Sequence, residues 1–387
     1  MTNNLKISRR SDVLPFRVMD VMADAARLEA EGRQIIHMEV GEPGLPTPDR
    51  AMDIGRAAMS NGDTGYTLAL GRDSLRQKIA THYGEIYDLD VAPSRIVVTT
   101  GSSAAFTLAF LASFDAGDHV AISRPGYPAY GRIMQALGLK PRDIYTTAET
   151  RFQPTAEQVL AEDGLAGLLV ASPSNPTGSL IAADHMRALC AASASAGIRL
   201  ISDEIYHRMT FEGQASTALS FSDDVVVINS FSKYYCMTGW RVGWMVVPEN
   251  MVRPIERLAQ NFFISPPTIS QIVAEETFAC TTELDARVDI YRQNRDVIYA
   301  ALTTSGVQTI APPDGAFYLY ADMSAFTDDS EDFCRQMLSE AGVAAVTGLD
   351  FDEREGHHFV RFSIAGSPDD MIEGAKRLGV WLPQQLR

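Results

Sequence analysis

The stretch Ile228 to Trp244, INSFSKYYCMTGWRVGW, decides the reading of this chain. Val225-Val226-Val227 lead into it, a β-branched run with the length of a buried parallel strand. Open α/β sheets bind ligands at the carboxyl ends of such strands. Here that end carries Ser230, Ser232 and Lys233, and Arg241 lies eight residues beyond the lysine. A lysine becomes nucleophilic once desolvation or a neighbouring cation lowers its pKa. Serine and arginine are natural donors to a phosphate. The stretch therefore suits an amine that attacks an aldehyde beside a phosphate clamp. Taken alone, it also reads as a strand end with a solvated lysine and a surface arginine.

A second chemistry fits the same residues. Ser230-Phe231-Ser232-Lys233 matches the S-x-x-K nucleophile motif of serine hydrolases such as the penicillin-binding proteins. Those enzymes also need S-D-N and K-T-G elements, and neither occurs in this chain.

Composition narrows the classes. The chain has 387 residues, enough for a large domain and a smaller one, with 46% apolar and 21% charged residues. Its 33 basic and 49 acidic residues leave a formal charge of −16, which argues against nucleic acid and against anionic membranes as partners. No apolar run is long enough to span a bilayer. Met1 to Asp12 is polar, without the apolar core of a signal peptide, so a cytoplasmic protein is expected. Cys190, Cys236, Cys280 and Cys334 are widely spaced and read as reduced, buried thiols. The seven histidines form no H-x-x-x-H, so no metal site is expected. G-x-G-x-x-G and Walker loops are absent.

Along the chain, short apolar strands alternate with helical segments. Strands are predicted at 35–40, 96–100, 119–123, 168–172, 198–202, 225–229 and 242–247. Helical spacing is predicted at 13–31, 72–87, 102–114, 127–138, 182–196 and 283–305. Further strands near 316–321 and 358–364 and helices near 330–341 and 368–379 complete the pattern. The expected fold is α/β: a large domain with a mostly parallel sheet covered by helices on both faces, plus a smaller α+β domain built from both chain ends. The expected division is an N-terminal arm at 1–47, a large cofactor-binding domain at 48–282 and a small domain at 283–387.

Four strand ends carry reactive groups. Gly101-Ser102-Ser103 open a helix and offer an anion site. Asn175 stands in the rigid turn Ser172-Pro173-Ser174-Asn175-Pro176-Thr177-Gly178. Asp203 emerges where a strand leaves the sheet, with Tyr206 beyond it. Lys233 is the fourth. A capped helix, a structural turn and an exposed acid would explain the first three singly. Jointly they supply an amine for an aldehyde (Lys233), a carboxylate for a ring nitrogen (Asp203) and donors for a ring hydroxyl (Asn175, Tyr206). Ser102, Ser103, Ser230 and Arg241 supply the anion cup. Those are the protein roles expected for pyridoxal 5′-phosphate.

The ordered set resembles the class I/II, fold-type I pyridoxal-phosphate aminotransferases of the aspartate aminotransferase-like superfamily. It runs through Gly41-Glu42-Pro43, Tyr66 to Arg76, Gly101-Ser102-Ser103, Pro125-Gly126-Tyr127-Pro128, Asn175-Pro176-Thr177-Gly178, Asp203-Glu204-Ile205-Tyr206, Ser230-Phe231-Ser232-Lys233, Gly239-Trp240-Arg241 and Arg361. The resemblance implies that Lys233, Asp203 and Tyr206 are catalytic and that Tyr127 stacks on the cofactor ring. It implies that Arg361 holds the substrate α-carboxylate, with Gly41 and Asn175 beside it. Tyr66 would reach the phosphate of a second subunit, so a homodimer with shared active sites is expected. The implied reaction moves an amino group between an L-amino acid and a 2-oxo acid. A carbon–sulfur β-lyase would use the same Lys233 and Arg361, and motifs do not separate the two. A transcription regulator with such a domain is disfavoured by the acidic charge. Arg17 and Arg132 are candidates for a second cation that would hold aspartate, whereas Phe16, Val18, Phe262 and Phe263 could build an apolar pocket. The reading leans to a neutral or aromatic amino acid, with aspartate held open.

Overall fold

The β-branched run before Ile228 lies in the middle of a seven-stranded sheet in this computed structural model, which describes residues 5–387. In chain order the strands are β1 (Ile36–His37), β2 (Ile96–Thr99), β3 (His119–Arg124), β4 (Lys140–Tyr145), β5 (Leu165–Ala171), β6 (Arg199–Asp203), β7 (Val226–Ser230) and β8 (Gly243–Val246). They are followed by β9 (Tyr318–Asp322), β10 (Val343–Ala344), β11 (Val346–Thr347) and β12 (Phe359–Ser363). The large sheet runs β2-β8-β7-β6-β5-β3-β4, and only β8 is antiparallel to its neighbours. The expected mostly parallel sheet is therefore the one that forms.

Successive strand side chains point to opposite faces, and both faces are covered. Val97, Ile122, Leu169, Ile201 and Ile228 feed one core, while Val98, Ala121, Leu168, Leu200 and Val227 feed the other. Burial on both faces explains why these strands read as continuous apolar runs. At about 25 cal/mol per Å² of apolar surface, each such side chain contributes on the order of 2 kcal/mol to burial. The spacing misses β4, whose sequence KPRDIY has a proline and charged residues; as the edge strand it buries little. It also misses the helices Asp49–Asn61, Glu249–Phe262 and Thr268–Thr277.

The smaller region joins the two chain ends. β1 pairs in parallel with β10, and β11-β12-β9 form an antiparallel sheet. The strand predicted at 35–40 is only two paired residues long. The helix predicted at 283–305 spans Thr281–Thr304 and buries Leu284, Val288, Tyr291, Ile298 and Leu302, the predicted face. The helix predicted at 330–341 is α-helical over Ser330–Gln336 and widens into a π turn over Met337–Ala341. Among the described residues no helix is long and apolar enough to cross a membrane.

Candidate active site

Parallel strands deliver polar groups to one end of the sheet. β2 leads to Ser102 and Ser103, β3 to Tyr127, β5 to Asn175, β6 to Asp203, and β7 to Ser232 and Lys233. All of them line one cavity of about 440 Å³, together with Gly41, Tyr206, Arg241 and Arg361. Ten of the twelve residues singled out from the sequence thus meet in one place, although their positions run from 41 to 361.

Lys233 reaches into this cavity and its Nζ donates to the Gly41 carbonyl at 2.5 Å. Burial pulls its amine down to about 8, with Arg361 and Arg241 assisting and Glu42 and Asp203 opposing. An amine at that value has a usable neutral fraction near neutral pH, as a nucleophile or a general base requires. Gly41 leaves room for a neighbouring side chain: a Cβ there would stand 2.5 Å from the Tyr318 hydroxyl.

Asp203 is buried and raised to about 6 by that burial, against the pull of the Tyr130 hydroxyl, the Ile205 amide and Lys233. The Ile205 N–H donates to Oδ1 at 3.1 Å and the Tyr130 hydroxyl donates to Oδ2. Strand alternation sends the next acid, Glu204, elsewhere: it accepts from the Ala218 N–H at 2.8 Å and from the Ser202 hydroxyl at 3.1 Å.

Arg361, on β12, is held on several sides. Its Nη1 donates to Asn175 Oδ1 at 3.0 Å and its Nη2 to the Glu39 carbonyl at 2.6 Å. The guanidinium lies 4.4 Å from the Tyr318 ring centroid and 4.9 Å from that of Phe351. Its buried Nε has no partner among the described residues. A fork fixed in this way is pre-positioned for a carboxylate. Tyr206 touches the same cluster, with its hydroxyl 2.9 Å from that of Tyr318.

The anion cup sits at the start of the helix Gly101–Ser113. No side chain caps that helix, so its first amides lack intrahelical partners and its dipole favours an anion there. Gly101 has φ +73°, and a Cβ on it would lie 2.5 Å from Arg241 Nη2. Glycine is the residue that lets the guanidinium close over the helix start. Arg241 is oriented by its Nη1 donating to the Thr238 carbonyl at 2.8 Å.

Ser230 and Tyr66 lie elsewhere. Ser230 is 1% exposed and does not line the cavity. Its hydroxyl is 2.9 Å from Ser232 Oγ and 3.2 Å from the Val242 carbonyl, so it orients Ser232, which does line the cavity. A Ser230 nucleophile of the S-x-x-K kind has no access to a substrate from that position. Tyr66 is 83% exposed and outside this chain's cavity. Phe262 and Phe263 are surface residues as well, whereas Phe16 and Val18 line the cavity. Sequence reasoning missed Tyr130, Tyr318, Asp350 and Phe351. Tyr130 was findable, three residues after Tyr127, although Tyr127 itself lies just before the helix Ala129–Leu137 that carries Tyr130. The others carry no local signal.

An amine, a buried carboxylate, tyrosine hydroxyls in the cavity wall and a guanidinium over an uncapped helix start are the donor set that pyridoxal 5′-phosphate needs. Residues 33–378 match the family model for aminotransferase class I and II. The chain is 44% identical to the valine–pyruvate aminotransferase of Mycobacterium tuberculosis, over 98% of this chain and 99% of that protein. A crystal structure of an aminotransferase from the same organism superposes with a TM-score of 0.97 at 43% identity, over 99% of this chain and 100% of the other. The aspartate aminotransferase of Thermus thermophilus, solved with maleate, gives a TM-score of 0.91 at 29% identity, over 97% and 99%. The chain is a pyridoxal-phosphate-dependent enzyme that moves amino groups between amino acids and 2-oxo acids, and it belongs to the class I and II aminotransferases of fold type I.

Proposed function

We propose that the amino donor is a neutral L-amino acid with an apolar side chain. One observation carries this reading. Among the described residues only three cationic side chains line the cavity, Lys233, Arg241 and Arg361, and each has a role that does not depend on the substrate side chain. A dicarboxylic substrate needs a fourth. The two candidates are engaged: Arg17 pairs with Glu331, and Arg132 pairs with Asp350 at 3.1 Å. Much of the remaining wall is apolar, including Phe16, Val18, Met22, Ile133 and Phe351. The Mycobacterium tuberculosis relative, named as a valine–pyruvate enzyme, points the same way.

The geometry supports a role for each residue. Pyridoxal phosphate, when bound, supplies an electron-accepting ring for the substrate's α-carbon. Lys233 would hold it through its aldehyde, and its Nζ, once freed by the incoming substrate amine, would take and return the α-proton. Asp203 is the carboxylate that keeps a proton on the ring nitrogen, with Tyr130 and the Ile205 amide fixing its oxygens. Asn175 and Tyr206 serve the ring hydroxyl, and Tyr127 stacks on the ring. Ser102, Ser103, Ser232 and Arg241 hold the phosphate. Arg361 grips the α-carboxylate, with Gly41 and Asn175 beside it.

The protein works as a homodimer in this reading, with Tyr66 serving the partner's phosphate. Tyr66, Leu68, Phe262 and Ile264 are all strongly exposed. Their segments are tied together, since the Thr268 hydroxyl donates to the Gly65 carbonyl at 2.5 Å and Gln271 Nε2 to Thr67 Oγ1 at 3.1 Å. Exposed apolar side chains on segments held together in this way suit an interface. The pairing of β1 with β10 supports a small domain drawn from residues 1–47 and 283–387 around a large domain at 48–282. Four free, buried cysteines are compatible with a reducing, cytoplasmic setting. A panel of half-reactions, followed by cofactor absorbance, tests the substrate class. Valine, leucine and phenylalanine should react with kcat/KM well above that of aspartate or glutamate; an aspartate value equal to or above valine's overturns the reading.

A further inference from the structure

We propose that Asp350 sets substrate specificity as a latch that seats the first turn of the helix Arg17–Ala30 over the cavity and masks Arg132. The inference deepens the neutral-donor reading and rests on it. Asp350 lines the cavity, yet its side chain is only 2% exposed because three donors converge on it. The Arg17 N–H donates to Oδ1 at 3.3 Å and the Val18 N–H to Oδ2 at 3.4 Å. Those amides open a helix whose N-cap, Phe16, offers no side-chain acceptor. A carboxylate more than three hundred residues away does the capping instead. The consequence is local: with this turn seated, Phe16, Val18 and Met22 stand in the cavity wall.

The third donor is Arg132. Its Nη2 donates to Asp350 Oδ1 at 3.1 Å, and its guanidinium lies 4.7 Å from the Phe16 ring centroid. Its buried Nη1 has no partner among the described residues. Arg132 does not line the cavity, so it stands one carboxylate behind the wall. An acidic substrate side chain entering here meets the Asp350 charge first and finds Arg132 already neutralised. A neutral side chain meets a paired, masked wall. Discrimination by an unfavourable contact with the wrong ligand is a standard route to specificity, and a close charge pair with few competing waters is strong enough to impose it.

Two readouts with opposite signs test the latch. In the holoenzyme, Asp350→Ala should lower kcat/KM for valine by about tenfold or more, because the helix turn loses its acceptor. The same change should tighten calorimetric binding of succinate, a non-reacting dicarboxylate, by about tenfold, because Arg132 is unmasked. Adding Arg132→Met should abolish the gain for succinate and leave the valine defect. A merely structural Asp350 would weaken both ligands together. Succinate binding that is unchanged or weaker in a folded Asp350→Ala enzyme overturns the proposal, as does tightening that survives Arg132→Met. Should Asp350→Ala fail to fold, Asp350→Asn keeps an acceptor oxygen for one of the two amides, loses the charge, and is held to the same succinate result. The neutral-donor reading fails on the wild type alone, by a preference for aspartate, whereas the latch is judged only on the change between variants.

Discussion

Replacing Arg361 by lysine tests the core of the site, because the structure allows its cost to be worked out. Arg361 keeps its place through Asn175 Oδ1, the Glu39 carbonyl and the rings of Tyr318 and Phe351. Lysine retains the positive charge but is one point donor on a flexible stem. It cannot satisfy Asn175 and Glu39 while presenting two parallel N–H groups to a carboxylate. One lost charge-assisted hydrogen bond costs about 1.5–3 kcal/mol. Lost stacking of the planar group adds about 0.5–1 kcal/mol. The sum, about 2–4 kcal/mol, corresponds to a drop in kcat/KM of roughly 30- to 1,000-fold. The assay is the single-turnover half-reaction with valine, leucine, phenylalanine and alanine, read by cofactor absorbance. The loss should be nearly the same for every donor, since all share the α-carboxylate. The resting spectrum should keep its position, because the cation beside Lys233 is retained. A loss below threefold, or one that falls mainly on donors with large side chains, would refute the assignment of Arg361 to the α-carboxylate.

Lys233→Ala should lose essentially all turnover yet still retain the cofactor without a covalent bond, through the cup at Gly101–Ser103 and Arg241; borohydride mapping of the wild type should place the adduct on Lys233 and on no other lysine. Heterodimers of Lys233→Ala and Tyr66→Phe subunits should hold one wild-type-like site if those residues reach one site from different subunits, and two singly defective sites otherwise, which kinetics of the isolated heterodimer distinguish. His37 is raised from 6.5 to about 9, chiefly by its hydrogen bond to Glu39 at 2.7 Å. Its stabilisation is therefore present in full below pH 6.5 and disappears as pH rises through 9. The ring is 42% exposed, so solvent screening limits the effect to about 1 kcal/mol or less. Denaturant unfolding at pH 6 and pH 9.5 should show a smaller pH difference in His37→Gln than in the wild type, and equal differences would remove His37 from the account.

The sheet and most of the chemistry were legible in the sequence because the signals are local. Val225 to Ile228 reads as a buried strand from composition alone, and Lys233 comes a fixed number of residues after it. The same holds for Asn175 after β5 and Asp203 at the end of β6, since a strand leaving a parallel sheet delivers its next residues to the carboxyl edge. Where neighbouring residues compete, alternation along the strand is not enough. Ser230 and Ser232 both looked available, and packing against Val242 turned Ser230 away from the cavity.

Tertiary structure alone decided which charged groups the cavity wall presents. Arg361 is fixed in the cavity wall because Asn175 and Glu39, 186 and 322 residues away, accept from two of its donors. Arg132, a candidate second cation in the sequence, pairs with Asp350, 218 residues away, and does not line the cavity. The same aspartate caps a helix whose own residues offer no cap. Hydrophobic period and turn chemistry act over a few residues and so are written into each segment separately. The wall of a cavity is assembled from segments whose separation in the chain bears no relation to their distance in space, and the charge each side chain presents there depends on which partner the packing has already given it.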